Sequence, residues 1–313
     1  MEDYILREIN RIGELIAALL DKIGLLKKSG APELIRETAK TELAERLDLD
    51  IDTLLAGEDF IATLVGEYGF SDADLEKMRV ACRITGNVLK MIEKCVVPGV
   101  STAELDAIIE DFIRSQGGTP NFKHLYGFPA SACISVDDIV VHGIPSARKL
   151  NEGEIVSIDV GAAYGGFNGD AARTFAVGKI SEEKQRLIDV TRQSFFEGIK
   201  NAHAGRRLGD LSHAIQSYVE SNGFSVVRVM TGHGIGRRVH EDPSIPNFGA
   251  PGTGVMLKKG YTLAVEPMVN MGTFKVFIDK GDGWTCRTLD GKPSAHYENT
   301  ILVGDGEPEI LTL

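Results

Sequence analysis

The chain has 313 residues, 43% of them hydrophobic and 25% charged, a globular composition at a length that suits one large domain or a domain with an appendage. A formal net charge of −11 argues against partners that present phosphate, so neither nucleic acid nor an anionic membrane surface is expected. Cys82, Cys95, Cys133 and Cys286 form no C-x-x-C pair, the opening MEDYILREIN is too charged for a signal peptide, and IGELIAALLDKIGLL is broken by Glu14, Asp21 and Lys22. These features exclude a zinc ribbon, a secreted disulfide framework and a membrane span, and the expectation is a cytoplasmic protein.

Residues 1–70 form the first region. Apolar side chains recur at helical spacing through Ile5, Ile9, Ile12, Leu15, Ile16 and Leu19, and again through Leu34, Ile35, Leu43 and Leu47. Lys27 to Pro32 separate the two runs, so a helical hairpin or small bundle is expected. It carries no histidine or cysteine, and its eight basic against fifteen acidic side chains are unsuited to ribosomal RNA. The expectation is an appendage without chemistry of its own, for packing or for a ribosome or protein partner, followed by a catalytic domain over 71–313.

From residue 71 the pattern changes. Ser71-Asp72-Ala73-Asp74 opens a helix with acids in its first turn, expected to run to about Lys94, and a second helix is expected from about Thr102 to Gln116. Strand-like runs follow at 131–145 and 154–178, then helices at about 182–203 and 208–222. The remainder reads as strands: FSVVRVM, YTLAVEPMVNM, FKVFIDK and AHYENTILV. Two helices thus precede an acid-bearing strand pair twice over, with Asp159 and Asp170 in the first half and Glu266 and Glu298 in the second. An α+β fold is expected, a pseudo-two-fold molecule with curved antiparallel sheet inside and helices outside, each half supplying two carboxylates to one cleft.

Asp159 interrupts IVSIDVG, Glu266 interrupts LAVEPM, and Glu298 precedes the apolar end of HYENTILV. Carboxylates are depleted in strands and need pairing, protonation or a cation when buried. Asp170, in GGFNGD, reads by itself as a turn residue. No comparable set of interior arginines or lysines is evident, so divalent metal is the simplest counter-charge. Four carboxylates match two dications if histidine supplies neutral ligands. In TGHGIGRRVHEDP, residues 231–243, glycines are expected to allow close backbone approach and unusual dihedrals around His233. The spacing from His233 to His240 does not fit a helical H-E-x-x-H site. Taken singly, His240 and His142, the latter ending DDIVVH before Gly143, read equally well as turn or core residues.

With SVDDIVVHGIP, IVSIDVGAAYGGFNGDAARTF, TGHGIGRRVHEDP, LAVEPM and DGWTC…SAHYENTILV in this order, the chain from about residue 72 to 313 resembles the type I methionine aminopeptidases, of the metal-dependent pita-bread fold. The resemblance implies dinuclear-metal hydrolysis of the first peptide bond, removing methionine from nascent or mature polypeptides with a small second residue. Asp159, Asp170, His233, Glu266 and Glu298 match the family's five ligands, with Asp170 and Glu298 bridging, Asp159 completing one site, and His233 with Glu266 completing the other. The metal is cobalt, manganese, iron or zinc; the mixed N/O donor set suits all of them. Glu266 is the expected proton acceptor, and His142 and His240 match the cleft histidines that contact substrate. Cys133, Phe128, Leu125 and Trp284 match the methionine pocket. Departures fall in that pocket: Leu125, Tyr126, Phe122 and Val239 replace residues usual there. Nothing suggests more than a monomer. An X-Pro dipeptidase or aminopeptidase of the same fold, and a non-catalytic binding protein on the scaffold, are the competing readings; the first generally lacks the S-x-C and W-T features, and the second tends to lose ligands.

Overall fold

The computed structural model describes residues 70–313. The helices and domain boundary expected for residues 1–70 lie, apart from residue 70, outside the described residues. Helix α1 spans Asp72–Ile92 and starts as its sequence predicts: the Ser71 side chain accepts from Asp74 N at 3.2 Å, with Asp72 and Asp74 in the first turn. A 3-10 turn, Glu93–Cys95, and Val96–Val100 lead to α2 (Thr102–Ser115), which opens with a capping box between Ser101 and Glu104.

The strands of the first half are β1 (Thr119–Pro120), β2 (Ala132–Val136), β3 (Ile139–Val141), β4 (Ile155–Tyr164) and β5 (Phe167–Ala176). β4 and β5 form one uninterrupted antiparallel ladder from Ile155↔Ala176 to Tyr164↔Phe167, turned at Gly165 and Gly166. The turn signal of GGFNGD falls on the two positive-φ glycines, and Asp170 sits inside a strand, as expected of the strand run over 154–178. β2 pairs with the other edge of β4, Cys133 opposite Asp159. Ile84, Val88, Ile109 and Ile113 of α1 and α2 pack on Ile134, Ile158 and Val160, forming the core of this half.

Helices α3 (Glu182–Ile199) and α4 (Leu208–Ser221) open the second half. Its strands are short: β6 (Ser225–Val226), β7 (Gly232–Gly234), β8 (Glu241–Ile245), β9 (Thr262–Val265), β10 (Met268–Asn270), β11 (Val276–Ile278), β12 (Cys286–Thr288), β13 (Ser294–His296), β14 (Asn299–Leu302) and β15 (Glu309–Ile310). The long run YTLAVEPMVNM breaks in two, because Pro267 has no N–H for a ladder. AHYENTILV breaks opposite it, at Tyr297 and Glu298. The same two segments pair on both sides of the break, Val265↔Asn299 before it and Met268↔His296 after it, but in different sheets. Glu266 and Glu298 accordingly stand at the break and not within strands, a correction to their expected placement. Leu187, Phe195, Leu211 and Ile215 of α3 and α4 pack on Leu263, Val265, Val269 and Ile301.

A seam joins the halves. Thr300 Oγ1 accepts from Asp170 N and donates to Asp170 O, at 3.0 and 2.9 Å. Glu298 N donates to Ala172 O at 3.0 Å, with the reciprocal bond at 3.4 Å. Thr174 Oγ1 accepts from His296 N at 2.8 Å and donates to His296 O at 2.9 Å. The chain 296–300 thus runs antiparallel to β5, and every second residue of each is brought to the same line. Every strand pairing among the described residues is antiparallel, with helices outside, as the α+β reading requires. No helix of the described residues is long and apolar enough to cross a membrane.

Candidate active site

Strand geometry places the first two carboxylates. Asp170 lies opposite Gly161 on β4, two residues from Asp159, so both acids project from one face of the sheet as diagonal neighbours. Cys133, opposite Asp159 on β2, projects from that face too. The seam then sets Glu298 beside Asp170, and the Pro267 break turns Glu266 towards the same cleft. His233 arrives on β7, whose pairing with Ala264 of β9 fixes its position next to Glu266.

The glycines of the 231–243 segment act by close approach. A Cβ on Gly232 would collide with Ala264 O, and one on Gly234 with Asp242 O. Neither has positive φ, so the expected unusual dihedrals are absent there. Within this segment Gly232–Gly234 form a three-residue strand, with a bulge between His233 and Gly234.

His233 Nε2 lies 3.9 Å from Asp170 Oδ2 and 3.7 Å from Glu266 Oε1. Asp170, His233 and Glu298 each offer one ligand atom, all within 4.8 Å of one another. His233 Nδ1 lies 2.9 Å from Gly234 O, which only accepts, so Nδ1 carries the hydrogen and Nε2 keeps its lone pair for the cleft. Asp170 and Glu298 are the deepest acids, with side chains 4% and 2% exposed, while Glu266 at 13% and His233 at 12% are slightly more open.

The electrostatics match that burial. Asp159 is pushed up to about 7 by burial. Asp170, Glu266 and Glu298 are raised well above the carboxylate range, by burial first and then by one another's charge. Burial lowers His233 to about 3 and His142 and His240 to about 4, with repulsion from His240 adding to the first two. Each imidazole is therefore neutral at pH 7.

The structure adds two residues absent from the sequence reading. Arg173 is a single inward-facing arginine, stacked 4.2 Å from the Tyr297 ring centre, and not a set matching the four acids. Its guanidinium donates to the carbonyls of Ala172 and Glu298 and to Asn299 Oδ1, not to the cleft carboxylates. His296 is 1% exposed, its Nε2 3.8 Å from Glu266 Oε2 and 4.0 Å from Glu298 Oε2. Burial, then His142 and Arg173, lowers it to about 3. Its one sequence signal is a histidine two residues before Glu298, on the same side of an extended chain.

The remaining predicted residues converge beside the acids. Cys133, Phe128, Phe122, Ala130 and Val239 form a small apolar cluster, with Leu125, Ile144 and Trp284 packed against it. The Phe128 and Trp284 rings meet edge to face at 5.2 Å. Asp282 fixes the backbone under the indole by accepting from Trp284 N and Thr285 N. The His142 ring lies 6.3 Å from Trp284, and the His240 ring lies 4.4 Å from His233 and stacks on Tyr126 at 5.6 Å. Contacts of this kind link the predicted pocket residues and histidines to the acids as one neighbourhood.

The donor set suits a hard or borderline dication. Asp159 Oδ1, Asp170 Oδ1 and Glu298 Oε1 are buried without a hydrogen-bond partner in the protein. Four carboxylates with a neutral imidazole, beside an apolar pocket, define a metal-dependent hydrolase. The sequence pattern of metallopeptidase family M24 matches residues 76–305. A methionine aminopeptidase of Clostridium perfringens is 56% identical over 244 residues, covering 78% of this chain and 97% of that protein. Methionine aminopeptidase 1 of Bacillus subtilis is 47% identical over 76% of this chain and 96% of its own. The crystal structure of methionine aminopeptidase from Rickettsia prowazekii superimposes with a TM-score of 0.77 at 42% identity, covering 78% of this chain and 99% of that one. The chain belongs to metallopeptidase family M24 and, within it, to the methionine aminopeptidases. It has their pita-bread fold, binds divalent metal and acts on the amino ends of peptides.

Proposed function

We propose that the cleft holds two divalent cations, of cobalt, manganese, iron or zinc, through Asp159, Asp170, His233, Glu266 and Glu298. The enzyme then removes methionine from the start of nascent or mature polypeptides whose second residue is small. The observation that carries this reading is the set of partnerless buried oxygens on Asp159, Asp170 and Glu298 around the Nε2 lone pair of His233. Asp170 and Glu298, the most buried of the four acids, would hold the cations from the floor of the site. Cations held there would supply Lewis acidity, the chemistry that lowers the pKa of a water to about 7 and polarises a carbonyl.

The protein's own groups do the rest. Glu266, the more exposed of the glutamates, accepts the proton of the attacking water and passes it to the departing amine. His240, neutral and held between Tyr126 and His233, donates a hydrogen bond to the developing oxyanion, worth about 3 kcal/mol in comparable sites. His142, beside Trp284, holds the scissile nitrogen. Asp159 receives the free α-amine, which limits action to chain ends. Cys133, Phe128, Leu125 and Trp284 enclose the thioether, a flexible side chain suited to irregular apolar space.

Residues 1–70 are proposed as a separate helical domain that engages a ribosome or protein partner, ahead of the catalytic domain over 71–313, in a monomeric cytoplasmic enzyme. The test of the chemistry is to prepare Glu266→Gln and His233→Ala separately and to assay Met-Gly-x and x-Pro peptides with added metal. Hydrolysis of Met-Gly-x by the unaltered protein, and its loss in both variants, is the expected result. Near-full turnover by either variant overturns the assigned roles, and preference for x-Pro overturns the specificity.

A further inference from the structure

His233 and His296 flank Glu266 with opposite hydrogen-bond polarity. Glu266 Oε1 faces His233 Nε2 at 3.7 Å, and Oε2 faces His296 Nε2 at 3.8 Å. His233 has a carbonyl acceptor for Nδ1, so its Nε2 offers a lone pair. For His296 the position is reversed: Nε2 faces carboxyl oxygens of Glu266 and of Glu298, which, ionised as ligands of a cation, accept and cannot donate. Both ring nitrogens of His296 lack a hydrogen-bond partner although the side chain is 1% exposed. The main chain leaves it little freedom, since one hydroxyl, Thr174 Oγ1, binds both its N–H and its C=O. That threonine is held in turn by Ser157 at 2.8 Å, on the strand that carries Asp159. A rigid strand therefore aims an imidazole N–H midway between two glutamates.

We infer that His296 is a positioning residue for the metal centre: its Nε2–H bridges Glu266 and Glu298 and turns the other oxygen of each towards the cations. This rests on the proposed ligand set. The oxygens divide accordingly, with Glu266 Oε2 and Glu298 Oε2 towards His296, and Glu266 Oε1 and the partnerless Glu298 Oε1 left for metal. Partners of this kind fix the orientation of a ligand and raise its basicity.

The experiment measures binding rather than turnover. Metal-free wild type, His296→Leu and His296→Gln proteins are titrated with cobalt(II) against a chromophoric chelator, and the visible cobalt spectrum is recorded at saturation. Leucine fills the volume without a donor, and glutamine returns one N–H at similar reach. His296→Leu is expected to weaken cobalt binding by about 10–100-fold with an altered spectrum, and His296→Gln to recover most of the loss. Wild-type affinity and spectrum in His296→Leu overturn the inference, as does a glutamine variant no better than leucine. Should the leucine variant fail to fold, His296→Asn replaces it: the shorter amide does not reach, so affinity equal to that of the glutamine variant overturns the inference and weaker binding supports it. Pulsed EPR of the manganese(II) form counts directly bound imidazole nitrogens. Loss of one in His296→Gln makes His296 a ligand and overturns the positioning role. Wild-type protein that binds neither ion overturns the ligand set itself, a failure distinct from the others.

Discussion

The two halves reach the same end by different means. In the first, ten consecutive pairs join β4 to β5, and Asp159 and Asp170 project from within that ladder. In the second, no strand exceeds five residues, and Glu266 and Glu298 stand where two paired segments break together. A continuous ladder holds a side chain through many backbone hydrogen bonds on either side. A break gives up such bonds locally but re-aims a side chain, and here it does so across the seam from Asp170. One half acts as a fixed wall and the other as a bent arm that carries His233, Glu266 and Glu298 to it.

The sharpest test of that comparison is to neutralise one deep acid from each half. Asp170→Asn and Glu298→Gln are each expected to lower turnover of a Met-Gly-x peptide by a factor on the order of 100 or more, since each removes a group held by both the wall and the arm. Both variants are expected to melt a few degrees higher than wild type when metal-free, because a buried carboxyl that is costly to ionise has gone. Unchanged turnover in one of the pair would show that the halves do not share the load.

Glycine-to-alanine changes compare the rigidity of the two supports. The Cβ of Gly232→Ala meets Ala264 O, main chain of β9 that cannot yield without moving Glu266. About 3 kcal/mol of stability should be lost, with weaker metal binding. Gly161→Ala meets the side-chain amide of Asn121, which can turn away, so about 1 kcal/mol is expected. Chemical denaturation of the two variants checks the order, and equal losses would break the distinction.

Protonation tests the shared cleft. Burial raises Asp159 to about 7, and raises Asp170, Glu266 and Glu298 well above their unfolded values. In the window between unfolded and folded pKa the native state holds more protons, so these four lose stabilisation as pH rises. His142, His233, His240 and His296 have depressed values and act with the opposite sign below about 6.5. Above that pH only the acids remain, so the metal-free melting temperature should fall from pH 6.5 to 8.5, and added metal should abolish the fall. A metal-free protein whose melting temperature rises across that range would contradict the convergence of the acids.

The smallest effect belongs to the pocket, where Cys133 of the wall meets Trp284 and Val239 of the arm. Cys133→Ala is expected to raise KM for methionyl peptides about fivefold, roughly 1 kcal/mol, with kcat nearly unchanged. A fall in kcat with constant KM would move Cys133 from pocket to chemistry.

Much of this was legible in the sequence because local chemistry dictates it. The Ser71 cap, the Ser101–Glu104 box and the apolar periodicities mark α1 to α4 to within a few residues of their observed ends. Carboxylates set among Ile, Val and Leu announce a counter-charge, whatever fold surrounds them. Less was visible where partners are distant in sequence. The strand containing His233 is short and glycine-rich, and it exists because β8 and β9 flank it. Arg173 and His296 look like ordinary strand residues until the seam sets one beside the main chain of Glu298 and the other between two glutamates.

By itself, then, the order of residues determined the helices, the alternation of the long ladder and the identity of the acids and imidazoles, since these depend on spacing and on the cost of burying charge. Tertiary structure alone decided which oxygen faces which nitrogen. That choice depends on the pairing of β5 with the chain around Glu298 and on the break at Pro267, contacts between segments more than a hundred residues apart or at a kink that no periodicity encodes.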